Sequence, residues 1–306
     1  MKLLGSYRNG NYTVKIFDDG TKIRYNDKQM LIPDTVESMD LKITNVCDMG
    51  CKMCHEDSAP DGKHGDILSP SFLDKLHPYT EIAIGGGNPL EHPDLEEFLI
   101  RCKDRKFIPS MTVNQIHFMK NKDFIRTLCN NELIYGLGIS LVTVSNEFID
   151  TVKEFPNAVI HLIAGVHTVD DIAKLANKNL KILILGYKKV RRGKTLYEND
   201  GIEIEYGIDY LKKNLNSYVE NNSFACISFD NLALKQLDVK NTLNISDEEW
   251  EQMYMGDDGQ EEMTSASMFV DMVERKFARN SCSMDRYPLM DTIEDMYYYL
   301  QSRIMR

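Results

Sequence analysis

Three cysteines lie close together in one short segment of the sequence. Cys47, Cys51 and Cys54 have the spacing C-x3-C-x2-C and follow directly after a β-rich run. Thiolates so close in sequence can converge on one soft metal centre. A zinc ion would need a fourth ligand, and the adjacent candidate, His55, would rarely reach the same tetrahedral ion as its neighbour. An iron–sulfur cluster held by three thiolates would instead leave one iron open for chemistry.

A glycine-rich segment, Gly85-Gly86-Gly87-Asn88-Pro89, ends the second predicted strand. Because glycine has no Cβ, the backbone of such a segment can come close to a ligand. The segment therefore indicates a binding site at the end of that strand.

Short β-rich runs alternate with helical stretches from about residue 39 to residue 230. Most of these runs are rich in Ile, Val and Leu, as strands buried on both faces are. The alternation predicts a parallel sheet with right-handed crossovers, either open or curled toward a barrel. In both forms the active site lies at the carboxyl ends of the strands, where the cysteines and glycines are found. The predicted strands are 39–44, 81–86, 110–114, 136–142, 159–165, 181–187 and 224–230.

The cysteine spacing, with the glycine-rich segment after the next strand, resembles the signature of the radical S-adenosylmethionine (radical SAM) enzymes. The resemblance implies an α/β fold with a partial (β/α)6-type barrel. It also implies that Cys47, Cys51 and Cys54 bind a [4Fe–4S] cluster, whose fourth iron is chelated by SAM. An electron from a donor such as flavodoxin or ferredoxin would then cleave SAM to a 5′-deoxyadenosyl radical, which abstracts hydrogen from the substrate.

Gly86, Gly87 and Asn88 are similar to the family's Gly-Gly-Glu-Pro segment, which receives the amino group of SAM. Asn88 stands where glutamate is usual. Its amide oxygen can still accept a hydrogen bond from the ammonium group, without the charge assistance of a carboxylate. Met53 is a second departure, because the family commonly has an aromatic residue before the third cysteine. With methionine at this position, the resemblance does not establish the family's usual packing near the adenine of SAM, whereas the cluster ligands are unaffected.

Three later positions are similar to SAM contacts of the family. Ser140 closes the fourth predicted strand, where the family often has a polar residue for the SAM ribose. Asn114, at the end of the third strand, is expected at the same pole of the barrel. The fifth predicted strand resembles the family's strand that packs along the adenine of SAM. Gly165 is the position in it where the backbone is not covered by a side chain. Each of the three could equally be an ordinary turn residue at a strand end.

Four cysteines remain outside the cluster motif, and because they are far apart in the sequence a second cluster is not expected. Cys102 and Cys129 follow apolar residues on predicted helix faces and are predicted to be buried. A thiol can return a hydrogen atom to a substrate radical, as in radical SAM peptide epimerases. Cys282, with its polar neighbours, is the catalytic candidate for this role and is preferred to Cys226. The alternative for both is a packing or exposed residue.

A basic run, Lys188-Lys189-Val190-Arg191-Arg192-Gly193-Lys194, follows the sixth predicted strand. If its cations face the mouth of the barrel, they can recognise a carboxylate or phosphate of the substrate. The alternative is a solvated loop.

The barrel is predicted to span residues 39–238, with an extension on either side. Residues 1–38 are predicted to form a β-hairpin around the turn Asp18-Asp19-Gly20. Residues 239–306 are predicted to form an α+β extension. Its parts are an acidic stretch at 247–262, a hairpin at 268–279 and a final helix from about residue 289.

The 306-residue chain carries a formal net charge of −11, which argues against a sequence-independent nucleic-acid binder. We find no apolar run long enough for a membrane span or a signal peptide, so a cytoplasmic location is expected. The odd number of cysteines, seven, favours a metal site over a disulfide framework.

The favoured substrate is a peptide or protein side chain, since the two extensions could frame an extended ligand. The rivals are a small metabolite or nucleotide and, from another class, a non-catalytic zinc-binding interaction protein.

Overall fold

The computed structural model describes residues 1–27, 31–253 and 266–302, which form two β-sheets with flanking helices. The smaller sheet is antiparallel, and its strands β1, β2 and β3 lie side by side in chain order. The predicted N-terminal hairpin is confirmed as β2 and β3, and β1 adds a third strand on the other side of β2. These strands are β1 Leu3–Asn9, β2 Tyr12–Phe17 and β3 Lys22–Tyr25.

The larger sheet contains a parallel array of seven strands, β4 to β10, arranged side by side in chain order. Among the described strands, β10 lies at one end of this sheet and does not pair back to close it. The sheet is therefore open, as predicted for a partial barrel. Its parallel strands are β4 Ser38–Thr44, β5 Glu81–Gly86, β6 Ile108–Asn114, β7 Gly136–Ser140, β8 Ala158–Ile163, β9 Lys181–Leu185 and β10 Cys226–Phe229.

Helices alternate with the parallel strands from β5 onward. Several helices begin with a capping side chain at the end of a strand or just beyond it. The Asn114 side chain accepts a hydrogen bond from Ile116 N–H (2.9 Å). The Asp230 side chain accepts one from Ala233 N–H (2.7 Å). Each cap turns the chain at the carboxyl edge of the sheet. The helices are α1 Leu95–Asp104, α2 Gln115–Asn130, α3 Asn146–Lys153, α4 Val169–Leu175, α5 Arg192–Glu220, α6 Asn231–Gln236, α7 Val239–Thr242, α8 Asp247–Met253 and α9 Ile293–Ser302.

Most of the parallel strands have one buried face and one half-buried face. Alternate apolar side chains, such as Met111 in β6 and Ile160 in β8, belong to the main core with the residues of the helices. On the opposite face, which we call the open face, Asp40 and Ala83 are exposed and Ser110 is half-buried. The end of β4 differs, because Lys42 and Thr44 on this face are buried as well. The prediction that most strands are buried on both faces is therefore wrong for most of them, since their second face is only half-buried.

The C-terminal extension continues the sheet beyond β4. The predicted hairpin is confirmed as β11 and β12, and β11 pairs in parallel with β4, directly opposite in register from Ser267 and Ser38 onward. Of the predicted acidic stretch, residues 247–253 form α8, and residues 254–262 lie outside the described part of the chain. None of the described helices has the length and apolar character needed to cross a membrane. The added strands are β11 Ser267–Asp271, β12 Lys276–Ala278 and β13 Tyr287–Pro288, ahead of α9, which begins four residues later than predicted.

Candidate active site

The cysteine loop, residues 45–64, leaves β4 and folds back on itself. Cys47 N–H donates to Ala59 O (3.0 Å), and Ala59 N–H donates to Asn45 O (3.0 Å). Gly62 allows the two arms to approach, because a Cβ there would lie 2.2 Å from the Asn45 carbonyl oxygen. The paired arms hold the cysteines on a defined backbone at the carboxyl end of the strand.

The three thiols of this loop are half-buried and free. Burial raises the pKa of Cys47 and of Cys51, and the negative charge of the Cys54 thiolate raises both further. Neighbouring thiolates repel one another unless a cation lies among them. The donor chemistry therefore fits a soft metal centre such as an iron–sulfur cluster. The role of the three cysteines as cluster ligands stays a prediction.

A histidine and a carboxylate lie beside the first cysteine. One ligand atom from each of Cys47, Asp48 and His117 lies within 4.8 Å of the other two. His117 Nε2 is 2.6 Å from Asp48 Oδ1, and this hydrogen bond holds the pKa of Asp48 below its usual range. His117 was not among the predicted site residues, although its place at the start of α2, just after β6, puts it at the carboxyl edge of the sheet. His55, the candidate considered for zinc, instead lies 3.3 Å from Glu56 Oε1 through its Nε2.

The glycine-rich segment lies directly against the start of the cysteine loop. Gly87 N–H donates to Thr44 O (2.7 Å), and Asn88 N–H donates to Val46 O (2.7 Å). Gly86 has a φ of +113°, and a Cβ there would lie 2.4 Å from the Thr44 carbonyl oxygen. A Cβ on Gly87 would lie 2.3 Å from the Val46 carbonyl oxygen. The glycines are therefore required for close contact with the cysteine loop, whatever ligand they also approach.

The Asn88 side chain is buried and is engaged by its own segment. Its Oδ1 accepts a hydrogen bond from Leu90 N–H (3.3 Å), and its Nδ2 donates to Glu91 Oε1 (3.3 Å). These contacts cap the short 3-10 helix Pro89–Glu91. This capping role was not predicted from the sequence, and the contact of Asn88 with the amino group of SAM stays a prediction.

The other predicted SAM residues lie along the same edge of the sheet. Asn114 and Ser140 stand opposite each other in register at the ends of β6 and β7. Gly165 follows β8 with a φ of +79°, and a Cβ there would lie 2.6 Å from the carbonyl oxygen of Ile204 in α5. The close neighbour of this glycine is therefore a helix backbone. The contacts of Asn114, Ser140 and Gly165 with SAM stay predictions.

The basic run, residues 188–194, packs on the cysteine loop. Arg191 Nη1 lies 3.3 Å from Glu56 Oε2, two residues after the third cysteine. Arg192 Nη2 donates to the carbonyl oxygen of Ser58 (2.6 Å). Each of these two arginines has partners in the loop that carries the thiols. They therefore belong neither to a solvated loop nor to an unoccupied site for a substrate carboxylate or phosphate.

A buried ion network joins the cysteine loop to the C-terminal extension. Lys42 Nζ lies 2.8 Å from Glu56 Oε2 and 3.2 Å from Asp271 Oδ2, and Arg286 Nη1 lies 3.2 Å from the same Asp271 oxygen. Although burial favours the neutral carboxyl, His55 and Lys42 hold the pKa of Glu56 well below its usual range. The signal for this network was Lys42 itself, a charged residue between the apolar Leu41 and Ile43 of β4.

Cys282 lies in a turn of the C-terminal extension, and its role as hydrogen donor stays a prediction. It is half-buried in a turn where its N–H donates to Asn280 Oδ1 (3.0 Å). The adjacent Ser281 accepts a hydrogen bond from Lys188 Nζ (3.0 Å), so the turn is tied to the segment that follows β9. Cys226 is exposed at the opposite, amino-terminal end of its strand. Cys102 is buried, as predicted, and burial raises its pKa to about 12.

A family model described as the radical SAM superfamily matches residues 41–199. No curated protein sequence matches the chain. The fold is similar to SuiB of Streptococcus suis bound to S-adenosylmethionine, with a TM-score of 0.58 at 14% identity over 87% of this chain and 66% of SuiB. SuiB bound to the precursor peptide SuiA has a TM-score of 0.53 at 15% identity, over 87% of this chain and 65% of SuiB. SuiB alone has a TM-score of 0.54 at 15% identity, over 87% of this chain and 66% of SuiB. This chain therefore spans slightly less than two thirds of the length of SuiB.

Proposed function

The chain belongs to the radical SAM superfamily and is an enzyme, and we propose that it modifies a side chain of a peptide or protein. Enzymes of this superfamily use a [4Fe–4S] cluster and SAM, which together supply a 5′-deoxyadenosyl radical. In our proposal Cys47, Cys51 and Cys54 hold the cluster. The backbone of Gly86 and Gly87, which already contacts the cysteine loop, receives the amino group of SAM.

One observation carries the proposal: the glycine-rich segment pairs with the cysteine loop at the carboxyl edge of the sheet, and the basic run, which packs on the same loop, is bonded through Lys188 to the Cys282 turn. Nearby on the open face of the sheet, the exposed Asp40 and Ala83 and the half-buried Ser110 offer small and polar side chains. Such a surface suits an extended substrate better than a small apolar ligand. The similar structure of SuiB with its precursor peptide SuiA supports a peptide substrate.

Cys282 is the residue that we propose returns a hydrogen atom to the substrate. In this step the S–H bond of Cys282 breaks and a C–H bond forms at the substrate carbon radical. The transfer runs downhill because an S–H bond is weaker than a typical C–H bond. The thiyl radical left on Cys282 regains an electron from a low-potential electron donor, such as a flavodoxin or ferredoxin, and a proton from water.

The substrate class can be tested on extracts of the cells that make the protein. The reduced holoenzyme and SAM are incubated in deuterated water with a peptide fraction or, separately, with a small-metabolite fraction. Mass spectrometry then identifies compounds that change only when SAM is present. We expect changed compounds in the peptide fraction. Changes confined to the metabolite fraction would replace our proposal with a small-molecule substrate.

The role of Cys282 predicts a specific defect in Cys282→Ala. Because its thiol proton exchanges with water, product made by the wild-type enzyme in deuterated water should carry one solvent deuterium at the reacting carbon. The Cys282→Ala variant should still cleave SAM and abstract hydrogen, but it should not complete the normal product. Cys226→Ala is the matched control and should behave like wild type, since its thiol lies at the other end of a strand. Normal, deuterium-labelled product from Cys282→Ala would exclude Cys282 as the donor.

A further inference from the structure

The first turn of α5 lies against the cysteine loop. A Cβ on Gly193 would lie 2.3 Å from the Lys188 carbonyl oxygen and 3.5 Å from that of Met53. Met53 stands between the second and third cysteines of the loop. The absence of a side chain at Gly193 thus allows the tight turn from Lys188 into the helix, and this turn sets the start of the helix within contact distance of Met53 in the loop.

Two arginines at this helix start hold the loop by its backbone. Arg191 Nη1 donates to His55 O (3.2 Å), and Arg192 Nη2 donates to Ser58 O (2.6 Å). Arg191 has φ +48° and ψ −129°, an uncommon conformation for a residue with a Cβ. Arg192 Nε is also 3.1 Å from Asp57 Oδ1, a carboxylate on the solvent side that offsets part of the positive charge.

Arg192 is held beside the arm of the loop that pairs with the first cysteine. Its contact at Ser58 O is adjacent to Ala59, whose carbonyl oxygen accepts a hydrogen bond from Cys47 N–H (3.0 Å). The guanidinium group is therefore fixed against the part of the chain that carries the thiols. The first segment of α5, which runs from Arg192 to a kink at Asp200, adds the positive end of its dipole on the same side.

We propose that Arg192 raises the reduction potential of the cluster held by Cys47, Cys51 and Cys54. The inference rests on the cluster assignment made above. Reduction adds one negative charge to a centre that already has three thiolate ligands. A cation beside those ligands stabilises the reduced state more than the oxidised state, and a partly buried cation is screened less than an exposed one. Arg192 acts in this way without touching the substrate.

The test is a redox titration of the anaerobically reconstituted protein, followed by electron paramagnetic resonance in the absence of SAM. For Arg192→Gln we expect a lower midpoint potential. At a fixed potential the ratio of reduced to oxidised cluster should fall about tenfold, which corresponds to about 59 mV for a one-electron couple. Lys194→Gln is the matched control from the same basic run. Its side chain is 68% exposed, and its midpoint should equal that of wild type.

The variant Arg192→Lys separates charge from hydrogen bonding. It keeps the positive charge but cannot reproduce the forked contact of the guanidinium group with the loop. Its midpoint should stay near that of wild type. If Arg192→Gln fails to hold iron, Asp57→Asn provides the test, because it removes the carboxylate that offsets the Arg192 charge and should raise the midpoint; an unchanged midpoint in that variant would count against the proposal. A midpoint unchanged in an Arg192→Gln protein with its full iron content would overturn the proposal. A large fall in Arg192→Lys would also overturn it. Failure of the wild-type protein to bind a cluster would instead defeat the cluster assignment.

Discussion

Replacing Cys47, Cys51 and Cys54 together by alanine is expected to abolish iron binding and, with it, SAM cleavage. The three thiols are the soft donors that the cysteine loop supplies, and the other ligand atoms found close to Cys47 among the described residues are those of the exposed Asp48 and the buried His117. A carboxylate and an imidazole do not replace three thiolates in a [4Fe–4S] site. Iron and sulfide analysis of anaerobically reconstituted protein measures the loss.

The matched control removes the same number of thiols elsewhere. The triple variant of Cys102, Cys129 and Cys226 to alanine should bind as much iron as the wild-type protein, because these cysteines lie in two helices and at the far end of a strand. A full complement of iron and sulfide in the variant of the cysteine loop would contradict the assignment. Zinc without sulfide in the wild-type protein would favour the zinc-binding alternative.

Gly86→Val is expected to lower the affinity for SAM at least about tenfold, or about 1.4 kcal/mol of binding free energy. Valine at φ +113° is strained, at a cost of roughly 1–3 kcal/mol. Its Cβ would also lie 2.4 Å from the Thr44 carbonyl oxygen, so the glycine-rich segment must move away from the cysteine loop. Equilibrium binding of SAM to the oxidised holoprotein measures the effect.

Gly85→Ala is the control for this prediction. A Cβ at Gly85 would meet no other atom within 4 Å, and its φ is not in the left-handed region, so SAM affinity should change little. Circular dichroism and urea unfolding show whether Gly86→Val still folds. A folded Gly86→Val protein with normal SAM affinity would mean that this segment does not hold the cofactor.

The elements of the parallel sheet could be predicted from local sequence patterns. Runs of β-branched and aliphatic residues located each parallel strand to within a few residues, because such side chains fit the pleated, partly buried surface of a sheet. The cysteine motif is equally local, with all three thiols within eight residues. The arrangement of these strands in a partial barrel was predicted from the family resemblance.

Contacts between distant parts of the chain could not be predicted in this way. The pairing of β11 with β4 joins segments more than two hundred residues apart, and it creates the buried pair of Lys42 and Asp271. The hydrogen bond between His117 and Asp48 likewise depends on the three-dimensional course of the sheet. The basic run is a further case, because its composition alone did not reveal that Arg191 and Arg192 contact the cysteine loop. Hydrophobic periodicity carries no information about which polar side chains meet.

The central claim is that the cysteine loop and glycine-rich segment together cleave SAM. The most direct measurement is the amount of 5′-deoxyadenosine that the dithionite-reduced, reconstituted protein forms from SAM without substrate. The wild-type protein should form it slowly, and the triple alanine variant of Cys47, Cys51 and Cys54 should form none above a protein-free blank. A wild-type protein with its full iron and sulfide content that forms no 5′-deoxyadenosine would contradict the account.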